Sequence, residues 1–160
     1  MEPSWYAIID CARDPRLVEL IRACAVNICL FKGKDLDPVL LGAAPWLVRI
    51  DPTEPLLRTW QQHGHAASWG VMLLSAHSID DLRRHFRRFL QARLPDGITA
   101  LFRFYDPRVF NTYIRAAAPE ERGPWFGLVD QYSVEGSGGT IMHHYRLIDG
   151  GLYDGSNRIG

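Results

Sequence analysis

Trp69-Gly70-Val71-Met72-Leu73-Leu74-Ser75, followed after Ala76-His77 by Ser78-Ile79-Asp80-Asp81-Leu82, is the stretch on which the fold turns. An apolar run of strand length gives way to a serine three residues ahead of an acid, a capping box with Asp in place of the usual Glu or Gln. Behind it Ile79, Leu82, Phe86 and Phe89 keep the helical period, which predicts a helix over 79–93. The same grammar recurs upstream. Trp5 to Asp10 is a short apolar run expected of a strand buried on both faces, and Asp14-Pro15 opens a helix carrying Leu17, Leu20, Ile21 and Cys24. Strands follow at Asn27 to Phe31 and Trp46 to Ile50, separated by a loop marked by Gly33, Asp35, Asp37, Pro38 and Gly42. Asp51-Pro52-Thr53 then leads into a helix through Leu56, Leu57 and Trp60 that stops near His63-Gly64.

Downstream, Pro95-Asp96-Gly97 is a turn, Ala100 to Tyr105 a strand, and Asp106-Pro107 the start of a helix carrying Val109, Phe110, Tyr113 and Ile114. Strands alternating with helices imply an α/β fold: a single domain with a central parallel or mixed sheet flanked by helices. After Ala118 the pattern changes to an extended, β-rich C-terminal tail. Trp125 to Glu135 reads as extended chain and Gly136-Ser137-Gly138-Gly139 as a spacer, and Asp149-Gly150-Gly151 is a hairpin turn between two short strands. The α/β domain is therefore expected over 1–135, with a glycine-rich linker and hairpin tail over 136–160.

Composition narrows the function classes. The chain has 160 residues, 47% of them hydrophobic and 22% charged, with a formal net charge of zero. It is long enough to hold a core without metals or disulfides, and it has no excess charge to bind polyanions or membranes. Cys11, Cys24 and Cys29 lie in apolar stretches without CxxC spacing, as core residues do. No secretory signal opens the sequence, and no apolar stretch reaches the length of a membrane helix, so a cytoplasmic protein is expected.

Three acids, Asp10, Asp51 and Asp106, fall at strand ends, where α/β sheets gather catalytic groups, and they would suit a small hydrolase or phosphotransferase. Against this, Asp51 and Asp106 each precede a proline at a helix start, where an acid caps orphan N–H groups. No phosphate-binding or nucleophile motif is present. Arg103 sits inside a strand pattern and needs a partner if its face is covered; Asp106 or Asp10 would supply one as a structural device, and a ligand site is the alternative. His63 and His65, and His143 and His144, lack metal-ligand spacing, so neither a metal nor a cofactor is expected. Arg83, Arg84, Arg87 and Arg88 form a basic stripe opposite Phe86 and Phe89. It reads as a solvated face, a protein contact or, least well given the zero net charge, a nucleic-acid contact.

Four segments in order resemble one known family. Tyr6 to Asp10 is similar to its opening "yaliD", and Gly42-Ala43-Ala44-Pro45-Trp46-Leu47-Val48 to its "aPyLv". Ser68 to Ser75 resembles its "sWGv" strand, and Phe102-Arg103-Phe104-Tyr105-Asp106-Pro107-Arg108-Val109 its "fRfyDPrv" signature. The family is the type VI secretion adaptor or effector chaperone (Tap/Tec-like), long catalogued as a domain of unknown function, and the resemblance spans about residues 5–135. It implies a non-enzymatic, cytoplasmic bacterial protein without cofactor that binds an effector toxin and helps load it onto the trimeric VgrG spike. Neither nucleic acid nor membrane is an implied partner. Pro45, Trp69, Gly70, Arg103, Asp106 and Pro107 carry over as signature positions with an expected architectural role. The candidate partner-binding residues are Arg83, Arg84, Arg87 and Arg88 of the basic helix and Tyr132, Tyr145 and Tyr153 of the tail. Many such adaptors continue into a second, variable lobe, and residues 136–160 are where one would begin.

Overall fold

The computed structural model describes residues 2–31 and 43–160; the loop read from Gly33 to Gly42 lies outside the described residues. The first half of the chain runs β1 (Ser4–Asp10), α1 (Leu17–Arg22), β2 (Asn27–Cys29), β3 (Pro45–Arg49), α2 (Pro55–His63), β4 (Gly70–Ser75). These strands lie in the order β4-β1-β3-β2, each antiparallel to its neighbours. It follows that β1 and β2 run the same way with β3 between them, and β3 and β4 run the same way with β1 between them. This is the split βαβ arrangement of a β-α-β-β-α-β unit. A sheet flanked by helices is thus present, whereas parallel or mixed pairing was expected. Strand–helix–strand grammar fixes that successive strands share a direction, but not that they are adjacent.

Alternate residues of β1 serve two cores, which is why its sequence is apolar without interruption. Ala7 and Ile9 face Leu17, Ile21 and Leu56 of α1 and α2. Tyr6 and Ile8 face the opposite layer, built from α3 (Ile79–Arg87) and α4 (Pro107–Ala116) through Leu82, Phe86, Phe110 and Ile114. Ser78 accepts a hydrogen bond from the Asp81 N–H at 3.2 Å, as the capping pattern predicts.

The C-terminal strands extend the same sheet. β7 (Gln131–Glu135) pairs with β4, and β8 (Met142–Ile148), β9 (Gly151–Asp154) and β10 (Asn157–Arg158) follow as an antiparallel meander. Asp149 and Gly150, at φ 50° and 80°, make the two-residue turn between β8 and β9, a backbone that an L side chain other than Asn or Asp adopts reluctantly.

Three segments differ from the sequence reading. The helix expected to reach Arg93 ends at Arg87, and β5 (Gln91–Arg93) pairs with β6 (Thr99–Leu101) across the Pro95-Asp96-Gly97 turn. Phe89 fits the helical period, but its ring stacks on Trp125 at 4.0 Å from just beyond the helix end. The strand expected over Ala100 to Tyr105 stops at Leu101, and Phe104 and Tyr105 are buried beyond its end in the turn that leads to α4. Trp125, read as extended chain, lies in a 3-10 turn between the short α5 (Pro119–Arg122) and β7, at the centre of an aromatic cluster with Phe102, Phe104, Phe110 and Tyr113. The Tyr132 hydroxyl donates to the Trp125 carbonyl. Trp125→Ala is expected to lower the unfolding free energy by about 3–5 kcal/mol in urea titration, with a loss under about 1 kcal/mol showing that the cluster collapses to fill the space.

Candidate partner-binding surface

The signature positions take architectural places. Gly70 opens β4 so close to β1 that a Cβ there would lie 2.2 Å from the Ile8 carbonyl oxygen, so only glycine permits this approach. Trp69 is buried beside Trp60, with the Arg16 guanidinium 5.7 Å from its ring. Pro45 starts β3 opposite Asp10, and its carbonyl accepts from the Leu30 N–H at 3.0 Å. Asp10 ends β1 with its side chain only 1% exposed; Oδ1 accepts from the Ala12 N–H at 3.0 Å and Oδ2 from Arg103 Nη2 at 2.7 Å. Of the two partners open to Arg103 from sequence, the structure places it on Asp10. That contact raises the Arg103 pKa, and burial pushes the adjacent Tyr105 phenol up to about 12.

Asp106 caps α4: Oδ1 accepts from the Arg108 N–H at 2.9 Å, and the Arg108 guanidinium grips both carboxylate oxygens at 3.0 and 2.7 Å. Burial pushes this carboxyl up, but the Arg108 hydrogen bonds prevail and hold it below its ordinary value. Pro107 occupies the first helical position behind that cap. Asp51 does not cap its helix, which begins at Pro55; it closes a turn by accepting from the Thr53 N–H at 2.9 Å. Since β1 and β3 are antiparallel, Asp10 lies beside the start of β3, and Asp51 sits at the opposite end of the sheet next to Trp5. The three carboxylates that a strand-end catalytic site requires are not brought together.

Cys11 and Cys24 are buried and Cys29 is half-buried, and burial pushes the Cys11 thiol up to about 12 and that of Cys24 to about 11. Among the described residues no group of three His, Cys, Asp or Glu is placed to hold a metal ion. His143 is tied to Asp154 at 2.7 Å, and His144 to Ser133 at 2.9 Å on the neighbouring strand.

The basic stripe divides. Arg83 turns inward and donates to the Cys29 and Phe31 carbonyls at 3.0 and 3.3 Å, fastening α3 to the end of β2. Arg84 pairs with Asp81, while Arg87 and Arg88 lie at the helix end. Tyr132 and Tyr145, expected to face a partner, belong instead to the core. The Tyr145 hydroxyl donates to Asn111 Oδ1 at 2.6 Å and accepts from Arg115 Nε at 3.0 Å. An inward tyrosine and an outward one on an extended segment read alike in sequence. Tyr153 is half-exposed on β9.

Sequence reading missed two features. Leu94, Ile98 and Leu101 stand exposed on the β5–β6 hairpin, whose signal was the turn at Pro95-Asp96-Gly97 with apolar residues on either side. Glu135 accepts from the N–H groups of Ala66 and Ser68, at 3.0 and 2.7 Å, where both residues have positive φ; no local pattern announces that contact.

His85 is buried on α3, and among the described residues its Nε2 has no hydrogen-bond partner. Burial, reinforced by the Arg88 guanidinium, pushes its pKa down from 6.5 to about 4. The unfolded chain therefore takes up this proton first, and stability is lost as pH falls from about 6.5 towards 4.

The fold is a split βαβ sandwich extended by a C-terminal meander. Within it the family model described as a domain of unknown function, DUF4123, matches residues 5–123. The chain belongs to this family. Neither curated proteins nor solved structures yield a match. Among the described residues no helix is long and apolar enough to cross a membrane.

Two measurements test the site assignments. Arg103→Met leaves the Asp10 carboxylate buried without its cation and is expected to cost about 1–3 kcal/mol of stability, with an unchanged melting temperature removing Arg103 from any structural role. In denaturant titrations over the acid range, His85→Leu is expected to flatten the loss of stability between pH 6.5 and about 4; a slope equal to the wild type would place that proton uptake elsewhere.

Proposed function

We propose that this protein is a type VI secretion adaptor: it holds a toxic effector in the bacterial cytoplasm and helps load it onto the VgrG spike. Family membership over residues 5–123 carries the reading. It is supported by the way the resembling segments are used. Gly70, Arg103, Asp106 and Pro107 set strand contact, tie β1 to a turn and start a helix, rather than converging on a reaction centre. Signature residues that conserve a frame leave specificity to surfaces, which suits a protein whose partners are proteins.

The reading is tested by a pull-down with the tagged full chain from the bacterium that encodes it, followed by mass spectrometry and light scattering of the recovered complex. A toxin-like protein recovered together with the spike is the expected result. Recovery of neither, with the folded protein alone in solution, would overturn it.

A further inference from the structure

At the end of α3 a groove of about 640 Å³ opens between the helix, the end of β2 and the β5–β6 hairpin. Leu30, Phe31, Leu90 and Leu101 give it an apolar floor, and Arg84, Arg87 and Arg88 stand on its rim. Leu94 and Ile98 continue the apolar path along the hairpin, at 42% and 61% exposed. Such a cluster of exposed large apolar side chains in one small arm marks an interaction surface rather than scattered exposure.

The charges on the rim are unequally answered. Arg84 has Asp81, and Arg83, just behind, spends its guanidinium on two backbone carbonyls. Among the described residues neither Arg87 nor Arg88 makes an ion pair; Arg88 reaches the His85 carbonyl and ring, with Nη2 3.1 Å from Nδ1, and its guanidinium lies 5.6 Å from the Phe89 ring centroid. No carboxylate is among the described residues that line the groove. Among the described residues the site therefore offers apolar contact beneath and, at Arg87 and Arg88, guanidinium charge without a paired carboxylate above, and its complement is apolar anchors flanked by carboxylates. Nucleic acid fits less well, because phosphates would answer the rim but leave the leucine floor unfilled, and the chain carries no net positive charge.

We propose that the α3–hairpin groove is the docking site for an acidic amphipathic segment of a partner protein, seated by apolar side chains on Leu30, Leu90 and Leu101 and held by Arg87 and Arg88. The need for a protein partner rests on the adaptor reading; the groove and its charge do not.

The test is a fluorescence-anisotropy titration of the full chain with a short labelled peptide that carries Leu at i, i+3, i+4 and i+7 and Glu elsewhere. Its Gln and Lys counterparts and an oligothymidylate serve as competitors. The Glu peptide is expected to bind best, and to weaken as salt rises from about 50 to 300 mM. Its affinity should fall about tenfold or more in R87E/R88E and in L101D, with both variants checked for an unchanged unfolding midpoint. Should a variant fail to fold, the ranking of the peptides on the wild type still decides. No binding of the Glu peptide, equal binding of the Gln peptide, or preference for the oligothymidylate would each overturn the proposal. The titration needs only purified protein and synthetic peptide, so its failure leaves a successful pull-down of effector and spike standing, and a failed pull-down leaves a positive titration standing.

Discussion

The ion pair between Asp10 and Arg103 joins positions 93 residues apart and fixes where the central strand ends. β1 lies between β3 and β4 and supplies side chains to both cores, so its placement sets the spacing of α1 and α2 on one face and of α3 and α4 on the other. A buried carboxylate is costly without a partner, and here one oxygen is satisfied by a backbone N–H and the other by a guanidinium whose far side remains in water. That guanidinium belongs to the turn ahead of α4, whose own cap, Asp106, is held by Arg108. One short segment, Arg103 to Arg108, thereby locks the strand end and starts the helix that covers it.

Much of this was legible in the residues. Strand β1, the Ser78 cap, the Pro107 start and the Gly64 stop are local events, decided within a few residues by dihedral preference and orphan N–H groups. The direction of strand pairing was not legible, since adjacency in the sheet is settled by which faces bury best together and not by chain order. Nor was the boundary between α3 and β5: Phe89 satisfies a helical period while its ring is claimed by Trp125, a contact from a distant part of the chain. Tyr132 and Tyr145 illustrate the same limit on the functional side, because an aromatic in a two-faced strand has equal claims to the core and to the surface until the covering layer is known.

The basic helix was visible in sequence as four arginines of one kind, and the structure separates them by what each can reach. Arg83 is used to close the α3–β2 junction, and Arg84 is matched within its own helix. Among the described residues the helix end, next to the apolar hairpin, combines guanidinium charge without a paired carboxylate and exposed apolar side chains. The hairpin turns at Pro95-Asp96-Gly97, and Leu94, Ile98 and Leu101 stand exposed on its two arms and turn.

The sheet's two halves differ in how far apart in the chain their partners lie. In the meander, Ile148 meets Gly151 and Asp154 meets Asn157 across turns of two residues, and Glu135 meets Met142 across six. In the split unit, Ser4 meets Ser75 and Tyr6 meets Arg49. Loop-closure entropy is accordingly greatest where β1 meets β3 and β4 and where β7 meets β4, with Met72 opposite Ser133, while β8, β9 and β10 add to β7 through short connections. The relative contact order of this chain is therefore raised at two places, the first strand and the seam between β4 and β7, and it is these long-range pairings that topology expects to limit the speed of folding.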